Sequence, residues 1–332
     1  MNIWLLLLFI VAVVLVALAG ITMLLKSSKI YKIDPTLCKG KNILITGPTA
    51  GIGRVTAIEL ARNGAFVHLL CRNSDRGRRL VEEIAEETVS KNVKLWQIDL
   101  SLMRSVREFA EKFLADFDGP VDVLINNAGV GWLSGKQMTQ EGLEVTMASN
   151  HFGHFLLTNL ILERILAAPQ GRIVNVSSLA HWPAWFDIDN LNSEKYYFKY
   201  NVYNVTKAAN ILFTRELARR LKQTTVTVNA LHPGAVATEL YRHWWNPFAW
   251  WAKKFMKTPL QGAQTTLYCA LEPSIANVTG RYFSNCALAT ISPTASSDAL
   301  AEKLWVISEK LTEYPPNSPS QTDDKSELQD FD

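Results

Sequence analysis

The sequence predicts an α/β protein: one doubly wound parallel sheet, with a membrane-spanning helix ahead of it. Three observations carry that reading. Short β-branched runs alternate with amphipathic segments from residue 41 to residue 271. The runs are apolar nearly throughout, as in "VDVLIN" and "RIVNVS", which fits strands covered on both faces. Ile3 to Leu25 contains no charged residue. Strict alternation of strand and helix gives a parallel sheet with right-handed crossovers.

The apolar segment comes first. As a helix it would span roughly 35 Å, enough for a bilayer core. A cleaved signal peptide is the competing reading, because Ala17-Leu18-Ala19 has an A-x-A pattern. No Lys or Arg precedes the run, and the hydrophobicity continues through Met23-Leu24-Leu25, so a retained anchor over 1–25 is favoured. Lys26, Lys29, Lys32, Lys39 and Lys41 follow, which places the rest of the chain in the cytosol. Residues 26–40 read as a juxtamembrane linker, 41–314 as the folded domain and 315–332 as a disordered tail. The tail, rich in Pro, Ser and acids, cannot bury enough surface to order itself.

Strands are expected at 41–46, 66–71, 93–98, 121–126, 172–177 and 225–231, and helices at 52–63, 76–88, 103–117, 139–168, 201–222 and 261–271. No solenoid-type repeat is present. With 332 residues and 48% hydrophobic content the chain can bury a sizeable core. Its formal charge is +3, and the tail's five acids against Lys325 leave +7 on the preceding residues. That excess is spread without clusters, which argues against nucleic-acid binding and suits a nucleotide phosphate or an anionic membrane. Cys38, Cys71, Cys269 and Cys286 form no CxxC pair, so no metal site is expected and the thiols read as reduced.

The first βα turn holds "GPTAGIG": Gly47, Pro48, Thr49, Ala50, Gly51, Ile52 and Gly53. Gly47 permits the turn, Gly51 lets backbone N–H groups approach a pyrophosphate, and Gly53 allows close helix–strand packing. The helix N-terminus adds its positive dipole end. A plain strand-to-helix turn would also use such glycines. The second strand ends "HLLCRN", with Cys71 and Arg72 where an acid would accept from ribose hydroxyls. Arginine there suits a 2′-phosphate. Arg54 is a further phosphate candidate.

"YNVTK" puts Tyr203 and Lys207 on one helix face at i, i+4. A nearby ammonium favours the phenolate and lowers the ordinary phenol pKa of about 10, making such a tyrosine fit to exchange a proton with a carbonyl oxygen. Ser177 and Ser178 end the fifth strand; adjacent residues point to opposite faces, so at most one faces a ligand. "NNAG" at 126–129, Asn150 in "SNHFGHF" and "HPGAV" at 232–236 complete a series of signals at successive strand ends.

In this order and spacing, TGPTAGIG, NNAG, SNHFGHFLLT, VNVSS, YNVTK and HPG resemble the short-chain dehydrogenase/reductases over about residues 40–285. "RNGAFVHLLCRN", "EGLEVTMASNHFGHF", "GHFLLTNLILERI", "NILFTRELARRL" and "GRYFSNC" resemble more narrowly the membrane-anchored retinol dehydrogenases of the type 11–14 group. The resemblance implies a Rossmann fold and an NADP(H)-dependent oxidoreductase on the endoplasmic reticulum membrane, single-pass, with its catalytic domain cytosolic. It implies Tyr203 as acid/base, Lys207 tuning it and holding the nicotinamide ribose, Ser178 bonding the substrate carbonyl and Asn150 anchoring a proton relay. It further implies Gly47 through Gly53 at the pyrophosphate, Arg72 selecting NADP, Asp99 at the adenine, Asn126 or Asn127 near the ribose, and Thr238 over the carboxamide.

The substrate expected is a lipophilic aldehyde or ketone, retinal first and lipid-derived aldehydes next. A sterol or other lipid carbonyl reductase, and a non-catalytic membrane adaptor, are the alternatives; oligomerisation is left open. The sequence departs from the group at Pro48, which removes a backbone N–H, and at Trp132, which alters a pocket wall. "YRHWWNPFAWWAKKF" at 241–255 reads as a lid that either rests on membrane lipids or packs on the core. Trp182 and Trp185 are candidates for pocket wall or core.

Overall fold

The computed structural model describes residues 29–88, 90–236 and 256–314. The apolar segment 1–25, Thr238, the aromatic segment 241–255 and the tail 315–332 lie outside the described residues. Among the described residues no helix is long and apolar enough to cross a membrane.

The expected alternation is present. β1 (Asn42–Thr46), α1 (Gly51–Arg62), β2 (Phe66–Cys71), α2 (Ser74–Thr88), β3 (Val93–Gln97) and α3 (Met103–Asp116) form the first half. β4 (Val123–Asn126) leads to α4, built of consecutive segments Val145–Met147, Ala148–Phe152 and Gly153–Leu160, and then α5 (Leu162–Leu166). β5 (Arg172–Val176), α6 (Lys199–Arg220), β6 (Thr227–His232) and α7 (Pro259–Leu271) follow. β7 (Tyr282–Ser284), β8 (Ala287–Leu288) and α8 (Asp298–Thr312) close the chain; none of these three was anticipated from the sequence.

The sheet order is β3-β2-β1-β4-β5-β6-β7-β8, parallel except for β8. Winding reverses between β1 and β4, which opens a crevice at their C-terminal ends. Strand residues alternate between two cores. Leu44, Leu124 and Ile173 pack with α3, α4, α6 and α8. Ile43, Ile45, Val123, Ile125 and Val174 pack with α1, α2 and α7. This two-sided burial is why the strands read as unbroken apolar runs.

Two expectations need correction. Residues 139–168 are not one helix. Thr139 and Leu143 close a turn in which Gly142 takes φ +76°, and the helix starts only where the Glu144 side chain accepts from the Met147 N–H. It breaks again at Ile161, which leaves helical geometry with φ −104° and ψ 10°. α7 begins earlier than expected because Thr258 and Gln261 form a reciprocal capping box with Pro259 in the first turn. α8 carried a legible start signal too: the Ser297 hydroxyl accepts from the Leu300 N–H.

The stretch just before β1 packs on the body. Cys38 is fully buried, Tyr31 meets Tyr268 edge-on at 5.6 Å, and the Tyr31 N–H donates to Gln264 Oε1 at 2.8 Å.

Candidate active site

A cleft of about 570 Å³ runs along the C-terminal edge of the sheet, from Arg72 and Asp99 past the glycine loop to Ser178, Tyr203 and Lys207. β1 delivers the loop. Gly47 has φ +63°, and a Cβ there would lie 2.9 Å from the Ala128 backbone. At Gly53 a Cβ would lie 2.3 Å from the Gly47 carbonyl oxygen, so the loop can close on α1 only with glycine at that position. Ala50, the N-cap of α1, offers no side-chain oxygen to the first-turn N–H groups. Those donors border the cleft, and with the helix dipole they make it fit for the phosphates of a dinucleotide.

The asparagines of NNAG divide the work. The Asn127 side-chain amide donates to the Thr46 and Gly47 carbonyls at 2.9 and 3.2 Å and braces the loop from β4. Asn126 turns into the core instead, donating to Thr158 Oγ1 and Asn175 Oδ1, and does not line the cleft. The expectation that either could sit near a ribose is therefore narrowed to Asn127. Pro48 is buried and likewise does not line the cleft.

Both serines line the cleft, but their hydroxyls are used differently. Ser177 is buried and its hydroxyl donates to the Lys207 carbonyl at 2.6 Å, tying β5 to α6. Ser178 Oγ accepts from the Ala180 N–H at 3.2 Å, which leaves its own hydrogen for a ligand in the cleft.

α6 places Tyr203 and Lys207 as the i, i+4 spacing expects. The Lys207 ammonium donates to the Val176 carbonyl at 3.1 Å and lies 5.5 Å from the centre of the Tyr203 ring. Burial pulls its pKa down to about 8. Trp132 packs on the other partner of this pair, its ring 5.1 Å from that of Tyr203. It does so from a left-handed backbone, φ 54°, an unusual state for a bulky residue that costs about 1–2 kcal/mol.

Asn150 is fully buried and acts on the loop after NNAG. Its side chain accepts from the Val130 N–H and donates to the Val130 carbonyl, both at 2.8 Å, and donates to Thr206 Oγ1 at 3.1 Å. It sits in a wide turn of α4, where the Gly153 N–H reaches back five residues to the Ala148 carbonyl; such π-type turns gather at functional sites. The Asn150 carbonyl accepts from His154 Nδ1 at 3.1 Å. A carbonyl can only accept, so Nδ1 holds the proton and Nε2 accepts from the Thr46 hydroxyl at 2.9 Å. Burial holds the His154 pKa down to about 4, so the ring is neutral. Thr46 Oγ1 also accepts from the Asn127 and Ala128 N–H groups at 2.9 and 3.0 Å. The glycine loop, NNAG and the Asn150 turn are thus one buried network. Neither Thr46 nor His154 was singled out from the sequence; their signal was position alone, one ahead of Gly47 and one helical turn after Asn150.

At the other end of the cleft the groups are open to water. The Arg72 side chain is 73% exposed and 4.0 Å from Asp99 Oδ2. Asp99 Oδ1 is taken up by the Ser101 N–H and hydroxyl at 2.9 and 2.6 Å. Asn73, Arg76 and Ser101 line this end as well and were not anticipated. Arg54 does not reach the cleft: it pairs with Glu83 of α2, its Nε donating at 3.0 Å, so its reading as a phosphate ligand is withdrawn. No cluster of His, Cys, Asp and Glu among the described residues could hold a metal.

Comparison with known proteins accords with this geometry. The family pattern described as "short chain dehydrogenase" matches residues 41–247. Human retinol dehydrogenase 11 is 44% identical over 278 residues, covering 83% of this chain and 87% of that protein. Bovine retinol dehydrogenase 12 is 44% identical, covering 82% and 86%. Human retinol dehydrogenase 14 is 43% identical, covering 84% and 88%. Among solved structures, an uncharacterized protein of Mycobacterium paratuberculosis superposes with a TM-score of 0.68 at 33% identity, covering 83% of this chain and 94% of that one.

Proposed function

The chain belongs to the short-chain dehydrogenase family, and from that premise we propose that it is a membrane-anchored, NADP(H)-dependent reductase of a lipophilic carbonyl compound, retinal or a similar aldehyde. The observation that carries the reading is the meeting, at one cleft, of the glycine loop with Ser178, Tyr203 and a buried Lys207.

When bound, the nicotinamide cofactor supplies the hydride. The chain's own residues hold and protonate. The N–H groups of Gly51 through Gly53 and the α1 dipole would take the pyrophosphate. Lys207, with one hydrogen spent on Val176, keeps two for the ribose and the Tyr203 oxygen. Ser178 would donate to the substrate oxygen, and Tyr203 would deliver the proton to that oxygen as the alcohol forms. Asn150 would hold the Val130 loop in place rather than touch substrate. Val130, Leu133, Val176 and Val236 give the catalytic end apolar lining, which suits a lipophilic chain. Thr238 would cover the carboxamide.

Arg72, with Arg76 beside it and no acid at the end of β2, supports a 2′-phosphate and hence NADP(H). The uncharged segment 3–25 and the lysines after it support a single-pass anchor in the endoplasmic reticulum membrane with the catalytic domain cytosolic. In a cytosol with reduced NADP pools, the working direction is aldehyde to alcohol. The test is Tyr203→Phe: NADPH binding should persist while retinal reduction is lost, and an unaltered rate removes Tyr203 from the mechanism.

A further inference from the structure

The crossover between β5 and α6 carries a concentration of exposed aromatic rings. Among the described residues, every exposed Trp, Phe and Tyr lies there or in the first turn of α6: Trp182, Trp185, Phe198 and Tyr200, joined by Leu179. Exposure runs from 48% at Trp182 to 61% at Trp185, so these rings are not core, and neither tryptophan lines the cleft, where the sequence had offered both as pocket wall or core. The group is ordered: Trp185 stacks on Tyr196 at 5.0 Å, Tyr196 meets Phe198 at 5.7 Å, and Asn201 clamps the Trp185 backbone in both directions at 2.9 Å. Soluble surfaces scatter such residues; a cluster marks a contact surface.

Two further observations say what it contacts. The first is its attachment to the cleft: Leu179 follows the cleft residue Ser178, and Tyr200 lies one turn before the cleft residue Tyr203. The second is where Lys29, the first described residue, is held. The Lys29 N–H is held by Asn285 Oδ1 at 2.9 Å, just beyond β7. Ser284 of β7 is in register with His232 of β6, His232 Nδ1 accepts from the Leu179 N–H at 3.3 Å, and His181 packs on Tyr282 at 5.1 Å. Lys29 and the aromatic crossover therefore share the C-terminal sheet edge. Leu25, the end of the uncharged segment, is four residues from Lys29, a span of at most about 14 Å.

We infer that the β5–α6 crossover is a second membrane contact, seating the mouth of the cleft on the bilayer interface. The inference rests on the membrane anchorage proposed above. Indole and phenol rings belong at the depth of the headgroups. The crossover carries Asp187, Asp189 and Glu194 against Lys195 and Lys199, so the contact is with zwitterionic lipid and needs no anionic headgroup. Its consequence is that a lipophilic substrate passes from bilayer to cleft without crossing water.

The test uses the full chain in phosphatidylcholine vesicles, with an environment-sensitive fluorophore on Trp185→Cys or, as a control, on Val306→Cys of α8. The native cysteines are buried, so the label goes to the introduced one. Val306 is exposed and adjoins Trp305, which stacks under Arg220 at the far end of α6, about 30 Å along that helix from Tyr200. The 185 probe should shift to the blue and be quenched by brominated lipid, while the 306 probe should not. The triple variant W182S/W185S/F198S should raise KM several-fold for retinal supplied in vesicles and leave it unchanged for a short water-soluble aldehyde. A chain that floats with vesicles while its 185 probe stays unquenched overturns the inference and leaves the anchor standing. Cross-linking of 185 probes between chains in the absence of lipid would assign the surface to a second copy and overturn it as well. A chain that docks and reduces nothing would instead remove the enzymatic reading.

Discussion

The two ends of the cleft are built on opposite principles. At the end proposed to be catalytic, Lys207, Asn150, His154 and Thr46 are buried, and each is tied to a neighbouring element, His154 through the Thr46 hydroxyl and the others through backbone atoms. At the adenosine end, Arg72 is held by nothing stronger than a 4.0 Å approach to Asp99 in water. The difference teaches where change is tolerated. A buried network must stay whole, because an orphaned polar atom there costs its full desolvation. An exposed ion pair contributes little and can be exchanged freely. On the proposed reading, chemistry is fixed in the interior, while cofactor preference is left at the surface.

The comparison can be broken at several points, beginning with the largest expected effect. Tyr203→Phe should lower turnover by about a hundred- to ten-thousandfold and leave the NADPH dissociation constant, read by fluorescence titration, within about twofold. A large loss of NADPH binding would mean that the two ends are not separable.

Acid should then strike mainly the catalytic half. Burial pulls His68, His154 and His232 down to about 4 and His151 to about 3, against an ordinary 6.5. These rings stay neutral when folded and take protons readily when unfolded. Their contribution is whole above pH 6.5 and is lost as pH falls from 6.5 toward 4. Urea midpoints measured across that window should decline steeply, by several kcal/mol in all. A flat profile would show that the histidines are accessible to protons in the folded chain.

His154→Leu sharpens the same point. It removes the ring nitrogen to which the Thr46 hydroxyl donates and the ring N–H that reaches the Asn150 carbonyl, for a loss of about 1–3 kcal/mol in urea unfolding. An unchanged midpoint would show that the network is dispensable.

Arg72→Gln is the mild counterpart. NADPH binding should weaken about tenfold, one charge-assisted contact, while NADH binding and stability stay as they were. Equal weakening for both cofactors would place Arg72 away from the 2′-phosphate.

The pH dependence of cofactor binding gives the smallest effect. The Lys207 ammonium, with its pKa near about 8, loses its charge as pH rises through that value. NADPH affinity should fall a few-fold between neutral pH and pH 9, by roughly the net value of one ordinary hydrogen bond, and Lys207→Met should abolish that step.

Particular residues show how much of this was legible in the sequence. The Tyr203–Lys207 pair was, because i, i+4 spacing on a helix is a local fact that packing does not alter. The glycine loop was, because the positive φ of Gly47 and the closeness of Gly53 to the Gly47 carbonyl are demands of a single turn, although Ala128 from the next strand's loop also crowds Gly47. β7 was not, since three residues are too few to show a period of two. The helix 139–168 was overdrawn, because its apolar content came from burial and masked the Gly142 turn.

The sequence alone determined the alternating α/β order, the first six strands, the placing of motifs at their ends, and the face shared by phenol and ammonium. These follow from hydrophobic periodicity and turn chemistry, which act over a few residues. Tertiary structure decided which groups face the cleft and which brace it: the Ser178 hydroxyl hydrogen is left for a ligand while the Ser177 hydroxyl is tied to Lys207, Asn127 lines the cleft while Asn126 turns inward, Asn150 supports a loop, and Arg54 pairs with Glu83. Strand parity says that neighbours face opposite ways, but only the layers packed above and below, here α6 over β5, say which way is in.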